Sequence, residues 1–369
     1  MMTNGQVEIQ IIAAITAVAC ALPGVFLVLR RMAMLSDAIS HTVLLGIVLA
    51  FFITQDLTSP LLIVGAALMG VATVSLVELV HRTRLVKEDA AIGLVFPALF
   101  SLAVILISRF AGNVHIDIDA VLLGELALAP FDRFVLFGTD IGPRGLYLMG
   151  GILLVNLAFI ALFYKELKLA TFDAGLAAAL GFSPGLIHYG LMGLVSLTAV
   201  GAFDIVGSIL VVALMIAPPA AAYLLTDRLP QMIGLSALFG VLSALGGYWL
   251  AYAVDASISG SMATMAGIIF GAAFLLAPER GLVARLRRHS RQRLDFAQVM
   301  LTAHLLNHEN TPQVDEESRV DHLSKHLRWN PDFAQQVVRR AEQRGLVERH
   351  NGHMSLTAQG RVVAQQALG

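Results

Sequence analysis

Apolar residues fall in long runs through most of this chain, and short polar breaks separate them. The runs cover residues 7–29, 36–53, 60–80, 91–108, 146–164, 186–200, 205–225, 231–253 and 261–277. About 20 apolar residues in a helix rise about 30 Å, the thickness of a bilayer's hydrocarbon core. Several runs are short or glycine-rich, so the pattern predicts about eight or nine transmembrane helices. After Pro278 the long runs stop and charges crowd in. The spacing there predicts helices over 294–308, 317–328, 331–344 and 358–368, with a hairpin of 346–350 and 353–357 around Asn351-Gly352. Phe296, Val299, Met300 and Ala303 mark the expected buried stripe of the first of these helices.

Composition sharpens this picture. The chain has 369 residues, 57% of them hydrophobic and 14% charged, with a mean hydropathy of +0.75. Soluble domains carry about 25% charged residues, so this is an integral membrane protein. The net charge of −1 averages an apolar body with a basic tail. A single cysteine, Cys20, excludes an intrachain disulfide and a thiolate metal cluster.

Lys and Arg set the orientation. One set of alternate loops holds Arg30, Arg31, Arg82, Arg84, Lys87, Lys165, Lys168 and Arg228, and the basic tail falls in the same set. The other holds Arg109, Arg133 and Arg144. The first set is expected to be cytoplasmic, with the N-terminus outside. Asp56, Asp117, Asp119, Glu125, Asp132, Asp140, Asp204 and Asp255 then fall outside, where they would attract cations.

The chemistry starts at Leu29-Arg30-Arg31-Met32-Ala33-Met34-Leu35-Ser36-Asp37-Ala38-Ile39-Ser40-His41. Asp37 and His41 stand four apart, so a helix stacks them on one face. A helix beginning near Arg31 carries His41 about 15 Å deep, about half the hydrocarbon core. Ionisable groups at that depth are costly and usually serve a transported species. Carboxylate plus imidazole suits a divalent transition metal. The plainer alternative is Asp37 or Ser36 as a helix cap with His41 bonded to a carbonyl. Two ligands do not complete a site, and Asp204 and Glu78 are the candidates to add.

Residues 171–185 read as a short helix begun by Asp173 and closed by Gly181. Such a helix suits docking into a partner's groove or serves as a connector. Residues 201–222 end in Pro218-Pro219, which interrupt a span's hydrogen bonding. That marks either a cavity lining or a kinked packing helix.

Together these stretches resemble the permease subunit of the ATP-driven importers of zinc, manganese and iron, the ABC-3 type metal permeases. The family pattern L-R-R-M-A-L-[LM]-[GS]-D-A-[LI]-S-H is matched at 29–41 with Met34 in place of a leucine, and E-D-[AT]-[AS]-[IL]-G at 88–93. The third, V-G-x-L-[LV]-V-x-A-L-[LM]-I-x-P-A, is matched at 206–219, with Ser208-Ile209 and with Pro219 in place of an alanine. Ala177 to Gly181 match the A-x-x-L-G of related importers' coupling segments. The resemblance covers about 10–278 and implies an all-α polytopic membrane protein in the bacterial plasma (inner) membrane. It implies that Asp37 and His41 line the metal path, and that Phe172, Asp173, Ala177, Leu180 and Gly181 couple to a cytoplasmic ABC ATPase dimer. It further implies a second permease subunit and an extracytoplasmic metal-binding protein. The chain lacks the G-x-x-x-x-G-K-[ST] phosphate loop. It is therefore expected to be a transport subunit and not an enzyme, with ATP hydrolysis on a separate chain. Manganese, zinc or iron is cargo, and no permanent cofactor is expected. The rivals are a proton-coupled secondary metal transporter and a membrane-anchored metal-responsive regulator.

The tail adds a domain that the simplest permeases of the family lack. Its helices and hairpin, with R-G-L-V-E-R at 344–349 and L-T-x-x-G-R at 356–361, are similar to bacterial winged-helix regulators, including metal-responsive repressors. The expected divisions are a permease domain of 1–280, a basic linker of 281–293 beside anionic lipid, and a small α+β winged-helix-like cytoplasmic domain of 294–369. Nucleic acid is not the expected partner, because Glu342 and Glu348 dilute the basic face of Arg339, Arg340, Arg344 and Arg349. His304 with His308, and His322 with His326, have the spacing of helix-borne ligands. They are candidates for a regulatory metal site, against a reading as exposed or core-edge histidines.

Overall fold

The structure, a computed structural model, describes all residues except 1–3, 57, 58, 60, 111–123, 125, 137, 138, 310, 313, 328, 351 and 369. The side chains of 88, 136, 139 and 324–326 are likewise outside it. Asp117, Asp119, Glu125 and Asn351 lie outside the described residues, as does the side chain of His326. The chain divides into two compact units, Met1–Gly281 and Leu282–Gly369.

In the first unit, α1 (Asn4–Leu29), α2 (Ala33–Thr54), α3 (Leu61–Arg82) and α4 (Glu88–Phe110) follow one another across short turns. A small hairpin, β1 (Arg133–Leu136) and β2 (Thr139–Pro143), leads into α5 (Arg144–Leu162). Two short helices, α6 (Tyr164–Phe172) and α7 (Ala174–Ala179), precede α8 (Pro184–Leu225), α9 (Leu229–Val254) and α10 (Ile258–Leu276). Among the described residues, eight helices are long and apolar enough to cross a membrane.

Helix α8 is not a single crossing. Helix α8 has 42 residues, which would reach about 63 Å, twice a hydrocarbon core. It breaks at Gly207, where φ 78° and ψ 163° leave helical space. Up to that residue it runs antiparallel to α5: Gly190 meets Phe159, Thr198 meets Asn156, Gly201 meets Ile152 and Ile205 meets Gly145. Helix α5 lies parallel to α1, since Gly145 sits beside Ile12 and Asn156 bonds to Ala19. Past Gly207 the chain heads back, because Met215 packs on Gly24, farther along α1. The two pieces are therefore the sixth and seventh apolar runs, joined by a reversal. Among the described residues, the eight long apolar helices therefore hold nine segments that can cross. The interruption expected at Pro218-Pro219 is absent; the helix continues through both to Leu225. Only glycine takes the Gly207 conformation at low cost, so the break falls there.

Helix α1 is central, with Ile12, Ala13, Ala17, Ala19 and Cys20 fully buried. Buried polar groups tie the helices together. Asn156 Nδ2 donates to the Ala19 carbonyl at 2.8 Å and to Thr198 Oγ1 at 3.0 Å. Thr73 Oγ1 donates to Thr42 Oγ1 at 2.8 Å, joining α3 to α2. On the hairpin side, Arg133 bonds Asp140 at 2.8 Å and Glu8 at 3.0 Å. The Arg133 guanidinium holds the Asp140 carboxyl below its ordinary pKa.

The second unit contains α11 (Leu282–His308), α12 (Val314–Glu317), α13 (Val320–His326), α14 (Pro331–Gln343), β3 (Val347–His350), β4 (His353–Leu356) and α15 (Ala358–Leu368). Residues 282–293 form the first turns of α11. The helix expected over 317–328 starts later, as α13 at Val320, and the separate short α12 ends at Glu317 before it. Strands β3 and β4 pair antiparallel, Val347 opposite Leu356, as the turn signal predicts. Asn330 caps α14 by accepting from Asp332 N, with Pro331 in its first turn. The stripe expected on α11 is a correction. Leu294, Ala297, Leu301 and Leu305 are buried, whereas Phe296 is 67% exposed. Both stripes have helical spacing, and the one that meets Leu323, Val337 and Val347 in the core wins.

Candidate functional site

Helix α2 begins at Ala33 with Met32 as its cap residue and no side-chain cap bond. Asp37 is therefore in the second turn, and the capping alternative for Ser36 or Asp37 falls. His41 stands eight residues in, about 12 Å along the axis. Its Nε2 is 3.5 Å from Asp37 Oδ1. Two ligand atoms about 2.1 Å from a shared ion would be separated by about 3.4 Å in tetrahedral geometry. The observed separation is close to that spacing. The imidazole packs beside two α4 rings, 5.2 Å from Phe96 and 5.8 Å from Phe100 between centroids. Neither side chain is sealed: His41 is 30% exposed and Asp37 43%.

The proposed extra ligands are not brought to this pair. Glu78 is committed to Arg82, at 2.6 Å, and to the Tyr189 hydroxyl, at 2.5 Å. Asp204 is exposed near the Gly207 reversal, level with the start of α5 and away from the Ala33 end of α2. Neither candidate adds a third donor to the Asp37–His41 pair.

The segment between α5 and α8 has the local structure its sequence predicts. Asp173 Oδ1 accepts from Leu176 N at 2.9 Å and caps α7. Gly181, at φ +85°, closes it, with its N–H bonded to Ala178 O and that of Phe182 to Ala177 O. Phe172, Leu176 and Leu180 are exposed. Ala177 is fully buried, so it seats α7 on the bundle instead of facing outward.

Sequence reasoning gave Arg30 only a topological role, and the structure gives it more. Arg30 Nε donates to Thr171 Oγ1 at 3.1 Å, and Nη1 lies 3.4 Å from His188 Nδ1. Burial holds its guanidinium below its ordinary pKa. The elbow between α1 and α2, three residues before Ala33, is thereby pinned to the end of α6 and the start of α8. No spacing rule in the sequence links residues so far apart.

In the tail, His304 and His308 sit one turn apart on α11 with ring centroids 4.8 Å apart. They gather Glu317 and His322, and the described residues do not extend to the His326 side chain. Glu317 was missed; its only sequence signal is the acidic run Asp315-Glu316-Glu317 between the histidine pairs.

A bundle of long apolar helices with a capped, exposed connector defines a polytopic membrane protein. A family model described as the ABC 3 transport family matches residues 6–277. The chain is 51% identical over 361 residues to the zinc transport system membrane protein TroD of Treponema pallidum, with 98% of each chain covered. It is 51% identical over 271 residues to the manganese transport system membrane protein MntD of Bacillus subtilis, covering 73% of this chain and 92% of that one. A solved structure of PsaBC from Streptococcus pneumoniae in complex with Fab matches at a TM-score of 0.62 and 28% identity, over 75% of this chain and 94% of that chain. The chain belongs to the ABC 3 transport family, and it is a membrane permease subunit of an ABC transport system.

Proposed function

We propose that this permease admits divalent transition-metal ions, manganese, zinc or iron, with Asp37 and His41 as ligands in the path. The observation that carries this is the 3.5 Å separation of Oδ1 and Nε2 on one face of a helix that crosses the apolar layer. The relatives support it, one named for zinc and one for manganese. A carboxylate facing lipid would cost about 3 kcal/mol or more, and the pair's open side is best satisfied by a second permease subunit, identical or related. Two such pairs would supply four ligands, enough for a tetrahedral ion.

ATP binding and hydrolysis belong to a separate cytoplasmic ATPase dimer, which docks on the exposed Phe172, Leu176 and Leu180, with Asp173 and Gly181 fixing the shape of α7. An extracytoplasmic binding protein delivers the ion. The assembly works in a bacterial inner membrane, with the tail, a winged-helix-like domain, in the cytoplasm. In proteoliposomes holding the permease, its ATPase and the binding protein, Asp37→Asn and His41→Ala should each abolish ATP-driven uptake of labelled zinc and manganese while the complex still assembles. Normal uptake in both variants would remove the site. Uptake driven by a pH gradient without any ATPase would favour the secondary-transporter reading instead.

A further inference from the structure

We propose that the tail carries a second metal site, built by His304, His308 and Glu317, for a zinc-class divalent ion. One ligand atom from each lies within 4.8 Å of the other two. A tetrahedral ion with bonds of about 2.0–2.1 Å needs its ligand atoms about 3.4 Å apart. Closing onto an ion therefore takes shifts of about 1.5 Å at most, within reach of side-chain rotation. His304 Nε2 is already 3.2 Å from Glu317 Oε2. The histidines stand at i and i+4 on α11, and α12 brings the carboxylate across to them.

Two further features fit a site and not a chance contact. His304 is 8% exposed and Glu317 6%. At such burial the carboxylate's charge is little screened by solvent, so a dication placed among these atoms would be held strongly. His322 Nδ1 also lies 3.1 Å from Glu317 Oε2, while its Nε2 is 3.6 Å from Glu316 Oε1. This imidazole, held between two carboxylates, orients Glu317 in the way outer partners orient metal ligands. Two nitrogens and one oxygen leave a fourth position for water. That donor set suits zinc and cobalt over manganese, which prefers oxygen ligands.

The site lies wholly within Leu282–Gly369 and shares no residue with Asp37 and His41. Its use, reporting imported ion to the transporter, rests on the permease reading; its existence does not. The test is a Co(II) titration of the purified full-length chain, followed by the visible absorption of four-coordinate cobalt. The wild type should show a band that zinc displaces. Glu317→Gln and His308→Asn should lose it, and Asp37→Asn and His41→Ala should keep it. His308 is only half-buried, so its replacement leaves the tail core intact. No band in the wild type, or a band unchanged in Glu317→Gln and His308→Asn, would overturn the site. A second arm reads its use: with zinc inside the vesicles, wild-type uptake should slow at least about threefold relative to Glu317→Gln. Equal rates would leave the site without that role, and uptake absent from both would instead fault the permease reading.

Discussion

At the residue scale, two positions carry more than their sequence pattern announces. Gly207 takes a backbone conformation reserved for glycine. Gly207→Ala should destabilise the membrane unit by about 1–3 kcal/mol, read as a lowered midpoint of thermal unfolding in detergent. Arg30 is tied to Thr171 in a half-buried elbow. Thr171→Val leaves that guanidinium nitrogen unpaired, at a cost of about 1–3 kcal/mol. It should weaken the coupling of ATPase rate to transported ion while the isolated Asp37–His41 pair is untouched; the ratio of ions moved to ATP hydrolysed measures this. Arg30→Lys should not rescue the same defect, because an ammonium cannot reach Thr171 and His188 together as a planar fork does. Asp37 and His41 were legible because a charge inside an apolar run stands out. Arg30 was not, because its partners lie over 140 residues away in the chain.

At the scale of elements, the short helix α7 was readable in full. A capping aspartate, small residues and a closing glycine are local signals, and its hydrogen bonds are local too. Gly181→Ala, at φ +85° in open space, should cost about 1–2 kcal/mol through backbone strain alone. It should loosen ATPase binding without changing metal binding; pull-down of the ATPase against metal titration separates the two. Helix α8 shows the opposite case. Its two apolar runs were visible, but whether Gly207 kinks or reverses the chain depends on α1 and α5, which present Gly24 and Gly145 to the two arms. Helix α11 likewise offers two stripes of equal periodicity, and only its neighbours select between them.

At the scale of the molecule, each unit owns a hydrophobic core. One runs through Phe26, Ile39, Leu191 and Leu210, the other through Leu301, Leu323, Val337 and Val347. A chain ended after Gly281 should therefore insert and fold, and residues 282–369 should unfold cooperatively as a soluble fragment. Chromatography in detergent and circular dichroism of the fragment check each in turn. The basic residues Arg285, Arg287, Arg288, Arg291 and Arg293 on the first turns of α11 should bind vesicles with anionic headgroups. That binding should weaken as salt rises, since such attraction is screened within about 10 Å at 0.1 M.

The sequence by itself determined the class, the apolar spans and the stacking of the polar pair. Each follows from a local quantity: hydropathy over a helix's length, or a spacing of four. Tertiary structure alone decided where the chain reverses, which face of α11 is buried, what Arg30 holds and that Glu317 joins two histidines. Those outcomes depend on which distant surfaces meet, and many pairings share one local pattern. Close packing between neighbouring helices selects among them.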